Sequence, residues 1–173
     1  APGYSSTTQP VSVTPSGFAF YNTSDPETVD ALAANQNYQV WSVRLNDAGV
    51  LQGWQPTRGG VTFNVPLASS NPAAGTIVTS PLAFTGNTTF VNAEFDPVAP
   101  GSTVLAITQP AGFTATSNAD NAARTSFTVN VTGSSVLFSG AALTVGRNLQ
   151  ASASVRLQGA PPAPVDITLS VPP

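Results

Sequence analysis

The chain of 173 residues contains no cysteine, no histidine, no methionine and no lysine, and only 8% of it is charged. Each absence closes a class of function. Without cysteine and histidine there is no thiol nucleophile, no imidazole base, no Ser-His-Asp triad and none of the usual zinc or copper ligand sets. Without lysine, Schiff-base chemistry and the P-loop lysine are excluded as well. The five basic residues are all arginines, scattered along a chain of net charge −3, which is no stripe for displacing counterions from a nucleic acid. No apolar run approaches the ~18 residues of a membrane-spanning helix. Lack of cysteine leaves the compartment open, but a chain free of both oxidisable sulfur residues suits long service outside a cell. Ala1 reads either as a mature N-terminus or as the start of a fragment. No enzyme activity, cofactor or metal is expected.

What is present is apolar content of 41%, too high for disorder at so low a charge, and a period of two. Residues 9–14, 17–21, 38–45, 61–65, 88–95, 103–108, 125–131, 149–157 and 165–171 each alternate, are rich in β-branched or aromatic side chains, and stop at Gly, Pro, Asn or Ser. Sixteen prolines and 14 glycines lie mostly between these runs, where proline ends strands and guards edges. Residues 160–164 form a stiff proline-rich turn. One segment departs from the pattern: Ser24, Asp25, Pro26 and Glu27 ahead of Val29-Asp30-Ala31-Leu32-Ala33 carry cap, early-proline and acidic first-turn signals, which predict a turn or two of helix over 24–33. Short strands without long helices between them point to an all-β sandwich.

The chain also resembles itself. Val11-Ser12-Val13-Thr14-Pro15-Ser16-Gly17-Phe18-Ala19-Phe20 lines up with Val129-Asn130-Val131-Thr132-Gly133-Ser134-Ser135-Val136-Leu137-Phe138. Asn37-Tyr38-Gln39 answers Asn148-Leu149-Gln150, and Val43-Arg44-Leu45 answers Val155-Arg156-Leu157. Val61, Phe63, Val65 and Leu67 answer Val165, Ile167, Leu169 and Val171. Residues 1–10 then read as the tail of a preceding copy or an N-terminal arm, 11–131 as one complete sandwich, and 132–173 as the opening strands of another. Such a half-sandwich would expose an apolar face and open edges. Three explanations stand side by side: a window cut from a longer tandem array, completion by strands of another subunit, or late strands that extend the first sandwich. In the second, Val11, Val13, Leu149, Val155, Leu157, Val165, Ile167 and Leu169 are the candidate interchain contacts.

Leu143-Thr144-Val145-Gly146-Arg147-Asn148-Leu149-Gln150 with Ala153-Ser154-Val155-Arg156-Leu157 resembles the opening strands of bacterial immunoglobulin-like tandem repeats. Ser69-Ser70-Asn71-Pro72 through Ile77 with Ser80-Pro81-Leu82-Ala83-Phe84 is similar to their middle, and Phe95-Asp96-Pro97 with Gly101-Ser102-Thr103 and Pro110-Ala111-Gly112-Phe113 to their close. The resemblance implies an immunoglobulin-like antiparallel β-sandwich, one complete copy plus an incomplete second. It also implies a large, secreted, multi-domain protein whose repeats serve as stalks, adhesins or spacers; the unfinished second copy adds the expectation of a filament, with copies of the chain or neighbouring repeats as partners. No catalytic residues come with it, and fold alone assigns no role.

The polar and aromatic candidates have plainer readings beside functional ones. Glu94 and Asp96 share one face of one strand, whereas a glycosidase pair faces across a cleft; a solvated face explains them. Asp25, Glu27, Asp30 and Asp47 lack calcium-loop spacing, and helix capping accounts for Asp25. Trp41, Trp54, Tyr38 and Tyr21 could line a sugar platform, which would make the chain a carbohydrate-binding module accessory to a secreted hydrolase, with a surface glycan as partner and Trp54 as the stacking residue; Trp41 reads more simply as core and Trp54, in a turn-like Gly53-Trp54-Gln55-Pro56, as exposed. Asn22, Asn87 and Asn130 head glycosylation-type triplets that an Asn- and Thr-rich chain produces by chance. Arg58-Gly59-Gly60 reads as a turn, and Arg44 and Arg156 as equivalent structural hydrogen-bonding residues.

Overall fold

A computed structural model describes residues 8–117, 123–139 and 144–157, with 164, 166 and 168 beside them. Its centre is β3 (Gln36–Leu45), which the sequence makes apolar on both faces: Tyr38 and Val40 are buried on one side, Val43 and Leu45 on the other. A strand of that kind needs cover above and below. In the first sheet it lies between β1 (Ser16–Tyr21) and β9 (Phe90–Pro97), with β11 (Ala123–Arg124) outside β1 and β7 (Gly75–Ile77) outside β9. β4 (Leu51–Trp54) pairs with β3 beyond the end of β9. The second sheet runs β2 (Glu27–Asp30), β12 (Ser126–Thr132), β10 (Gly101–Ile107), β6 (Leu67–Ser69). β5 (Phe63–Val65) and β8 (Leu82–Phe84) form a short pair of their own.

Between these layers lies one core. Phe18, Phe20, Val40 and Phe95 come from the first sheet, Leu105, Phe127 and Val129 from the second, Val65 and Phe84 from the short pair. Phe18 and Phe84 meet at 4.6 Å between ring centroids and Phe20 and Phe127 at 4.9 Å, edge on. Each such burial contributes about 1.5–3 kcal/mol. The result is an all-β sandwich, with no helix among the described residues and every pairing antiparallel except β2 with β12.

That parallel pair overturns the helix expected over 24–33. Glu27, Val129, Thr28 and Asn130 run side by side, and Val29 reaches the core. Partner-strand hydrogen bonds and the burial of Val29 outweigh local capping signals. The acceptor at Asp25 is nevertheless used: its carboxylate takes the Thr128 N–H at 3.0 Å and the Arg124 guanidinium at 2.8 Å. Asp30 bonds the Leu32 N–H in a side-chain turn. Residues 9–14, expected as a strand, are irregular, with Val13 94% exposed. Instead β1 starts at Ser16, and its outer edge is closed piecemeal. Thr114 N–H donates to the Ser16 carbonyl at 2.7 Å, the Gln109 side chain brackets Phe18, and β11 covers Phe20 and Tyr21.

β13 (Val136–Ser139) and β14 (Ser154–Leu157) pair with each other and with no other described strand. They occupy the places that the internal correspondence gives to β1 and β3, also an antiparallel pair. The register differs: Arg44 lies opposite Ser16, whereas Arg156 lies opposite Leu137 rather than Ser134. This odd slip turns one strand's alternation over relative to the other's. Val136 and Phe138 thus face Leu157 and Val155 on a single apolar side. The connection into this hairpin is tied to the sandwich by Ser134, whose hydroxyl donates to Asp30, and by Ala31 N–H to the Thr132 carbonyl at 2.8 Å.

Candidate functional site

Three features of the surface call for a chemical account. The first arises where β1 leaves the first sheet. Its pairing with β3 ends at Phe20 and Val40; Asn22 then adopts a left-handed backbone (φ 52°), a conformation asparagine tolerates, and the chain crosses to become β2 in the other sheet. The Asp25 contacts to Arg124 and Thr128 hold that crossing. Residues 36–39 of β3 keep β9 on one side and have no described strand on the other. The gap is a pocket of about 370 Å³ lined by Tyr21, Asn22, Thr23, Glu27, Gln36, Asn37, Tyr38 and Gln39. That volume falls within the ~300–1,000 Å³ typical of small-molecule sites.

Two hydroxyls of residues beside this gap, Thr23 Oγ1 and Tyr38 Oη, are sealed from solvent and find no hydrogen-bond partner among the described residues. Their residues are only 9% and 8% exposed. A buried polar group left unpaired costs about 1–3 kcal/mol. Burial, reinforced by the charge of Glu27, pushes the Tyr38 phenol up to about 12, so it is a hydrogen-bond donor at any ordinary pH.

The second feature is on the outer face of the first sheet. Tyr21, Trp41, Trp54 and Phe90 cluster there over Ala19, Val43 and Leu45. Trp41 stacks on Phe90 at 5.0 Å and 19°, and Tyr21 meets Trp54 edge on at 4.8 Å. Trp41 is therefore not in the inter-sheet core as expected. Tyr38 and Val40 take the inward positions of β3, and a period of two sends Trp41 outward. Trp54, expected in an exposed turn, ends β4 and is half-buried. Of the four aromatics named from the sequence, the structure gathers Tyr21, Trp41 and Trp54 and puts the Tyr38 ring on the far face, against Phe127. The rings are mutually tilted, not coplanar.

The third feature is the hairpin. Val136 is 45% and Phe138 64% exposed, on the side they share with half-buried Val155 and Leu157. Val11, Val13 and Leu149 are exposed and lie outside strands; Val165, Ile167 and Leu169 fall outside the described residues.

The remaining candidates are structural. Glu94 accepts from the Asn35 amide at 2.8 Å, Asp47 is exposed on a turn, and Arg44 donates to the Gln52 carbonyl at 3.2 Å. Among the described residues no cluster of three metal-ligating side chains occurs, and no helix is long and apolar enough to cross a membrane. Sequence reasoning missed that Thr23 and Tyr38 come together beside this gap with both hydroxyls buried. Thr23 sat in a triplet read as a chance glycosylation pattern, and the only signal for the pocket was Asn22 breaking an alternating run.

Compared with known proteins, the chain matches no family model, no curated protein and no solved structure, so its likeness to bacterial immunoglobulin-like repeats rests on the residues that carry it.

Proposed function

We propose that the chain is a non-catalytic module of an extracellular stalk, adhesin or filament built from immunoglobulin-like sandwiches, and that strands of a second copy cover the apolar face of β13–β14. The observation that carries this reading is that face: Val136, Phe138, Val155 and Leu157 on one side, with no second layer on them among the described residues. An isolated two-stranded hairpin is marginally stable in water, whereas covering its apolar side contributes about 25 cal/mol for each Å² removed from solvent. A copy of the chain is the favoured occupant because the pair β1–β3, which corresponds to β13–β14 in sequence, is itself covered by strands that follow it along the chain. Val11, Val13 and Leu149 are further exposed apolar side chains that such a contact could bury. The absence of histidine, cysteine and lysine supports a role without chemistry.

Light scattering with amide hydrogen exchange tests this. Concentration-dependent polymers, abolished by Phe138→Glu and by deletion of residues 1–10, are the expected result for copies that meet in solution. Monomers whose β13–β14 amides exchange fast, and become protected when two copies are fused in tandem, would support the same contact along one chain. Monomers with those amides already protected would refute it.

A further inference from the structure

We infer that residues 9–14 of one copy form the closing strand of another copy's unfinished sandwich, pairing in parallel with its residues 144–146; this rests on the reading that copies cover the hairpin and names the segment that does so. The template is β12 beside β2 in the complete sandwich. β12 runs parallel to β2, with Val131 opposite Val29 and Thr132 opposite Asp30, and it sends Val129 and Val131 into the core. Val11-Ser12-Val13-Thr14 is the sequence counterpart of Val129-Asn130-Val131-Thr132. It keeps a valine at each inward position and a small polar residue at each outward one, which is the alternation a half-buried strand needs.

Residues 144–146 are the counterpart of β2. Thr28-Val29 falls between the blocks at Phe20 and Asn37, and Thr144-Val145 between their partners Phe138 and Asn148. Both dipeptides run into the same turn: the Ala33 N–H donates to the Asp30 carbonyl at 3.0 Å, and the Leu149 N–H to the Gly146 carbonyl at 3.0 Å. What differs is the neighbour. Val29 is buried beside β12, whereas Val145 is 48% exposed and belongs to no strand. The arm at 9–14 has the complementary deficit. Its valines are exposed, and the outer side of β1 is already taken by Thr114, Gln109 and β11. The two segments also flank the sandwich from opposite ends. Ser16 lies opposite Arg44 at one end of β3. Gln36, at the other end, lies opposite Phe95, where β9 hands over to β10, and β12 finishes beside the start of β10 with Val131 opposite Gly101. An arm before Ser16 and an unfinished layer after Thr132 are thus placed to join copies head to tail. Because the two surfaces differ, the contact repeats from copy to copy and makes no two-fold dimer.

The chain has no native cysteine, so cross-linking reads the register directly. By the template, Val13 lies opposite Val145 of the other copy, as Val131 lies opposite Val29. Whole chains carrying Val13→Cys, mixed with whole chains carrying Val145→Cys under mild oxidation, should form a disulfide-linked pair, because opposed positions in neighbouring strands lie within disulfide reach. Val13→Cys with Leu149→Cys, four residues out of register, should link far less, and so should Ser12→Cys with Val145→Cys, on opposite faces. Val13→Asp should weaken polymerisation about tenfold or more. It should leave the melting temperature of the sandwich unchanged, since Val13 is exposed in a single copy. Polymers that depend on Phe138 but form equally well with Val13→Asp, and without the 13–145 link, would overturn the inference and leave the assembly of copies in place. Chains that stay monomeric at millimolar concentration would overturn it too, and with hairpin amides already protected they would remove both readings. An intrachain link in the Val13→Cys/Val145→Cys double variant would overturn it by putting the arm on its own chain.

Discussion

Removing the side chain of Gln109 should unseat β1, although Gln109 belongs to no strand. Its amide takes the Phe18 N–H at 2.9 Å and returns a hydrogen bond to the Phe18 carbonyl at 2.7 Å, standing in for a neighbouring strand between Thr114 and β11. Phe18 is fully buried and packs on Phe84 and Phe113 at 4.6 and 4.7 Å. In Gln109→Leu, which keeps the bulk, both backbone groups lose their partner. At about 1–3 kcal/mol for each of the two orphaned groups, the loss is about 2–6 kcal/mol. That is a large part of the ~5–15 kcal/mol that holds a domain together. For a chain of this length that lowers the melting temperature by about 4–24 °C.

Gln109→Glu adds a control with a built-in switch. A carboxylate can accept from the Phe18 N–H but cannot donate to its carbonyl, so the charged form is disfavoured in the fold and the folded pKa of the new group lies above the unfolded ~4.3. A group shifted upward in this way stabilises fully below the unfolded pKa and loses that contribution as pH rises through the folded one. Relative to the wild type at the same pH, the variant should thus be nearly intact near pH 3.5 and clearly weaker at pH 7. Urea denaturation at both values reads this difference. A Gln109→Leu loss below about 0.5 kcal/mol, or a Gln109→Glu deficit independent of pH, would refute the idea that this amide closes the edge.

Acid should reveal the Asp25 anchor. The Thr128 backbone N–H, with Arg124 behind it, holds the Asp25 carboxyl below its usual range. Its contribution is complete above the unfolded ~3.9 and fades as pH falls through the folded value. Asp25→Asn should therefore flatten the acid limb of the stability curve, and an unchanged limb would count against the anchor. Gly17→Ala should destabilise by about 1–3 kcal/mol, because a Cβ there would run into the Thr114 backbone oxygen; a melting temperature equal to the wild type's would show that the 113–117 segment can step aside.

How legible this fold is in the sequence depends on which physical term dominates locally. Where a run must bury one face, as in β9, β10 and β12, alternation places the strand to within a residue or two, because only one phase puts Phe95, Leu105 and Phe127 inside. Between residues 24 and 33 the local signals are those of a helix start, and the deciding term is the edge of β12, which lies far along the chain and leaves no trace nearby. Residues 9–14 show the converse failure: alternation without an available edge makes no strand, since the Thr114 backbone, the Gln109 side chain and β11 already occupy the outer side of β1. The aromatic candidates were visible as residue types, and their grouping was not. Parity alone divides Tyr38 from Trp41, and knowing which parity faces the second sheet requires the second sheet.

The same parity argument bears on the hairpin. If β13 and β14 kept the register of β1 and β3, Arg156 would lie opposite Ser134 and the equivalents of Val43 and Leu45 would turn away from those of Phe18 and Phe20. In the sandwich that division is sustained because β3 buries apolar residues on both faces, Tyr38 and Val40 against the second sheet and Val43 and Leu45 in a cluster with Ala19, Ala123, Trp41 and Trp54. Neither a second sheet nor such a cluster accompanies β14 among the described residues, and there Val155 and Leu157 share a side with Val136 and Phe138. A pair with one available covering should gather its apolar residues on one side, and a pair covered twice can divide them. Adding the second layer should therefore act on register as well as on stability: strands that cover β13–β14 from both sides would draw Arg156 from Leu137 toward Ser134. Cross-strand NMR contacts of Arg156 in a tandem fusion would report the change, and contacts still made to Leu137 under full protection would mean that the slip is intrinsic to these two strands.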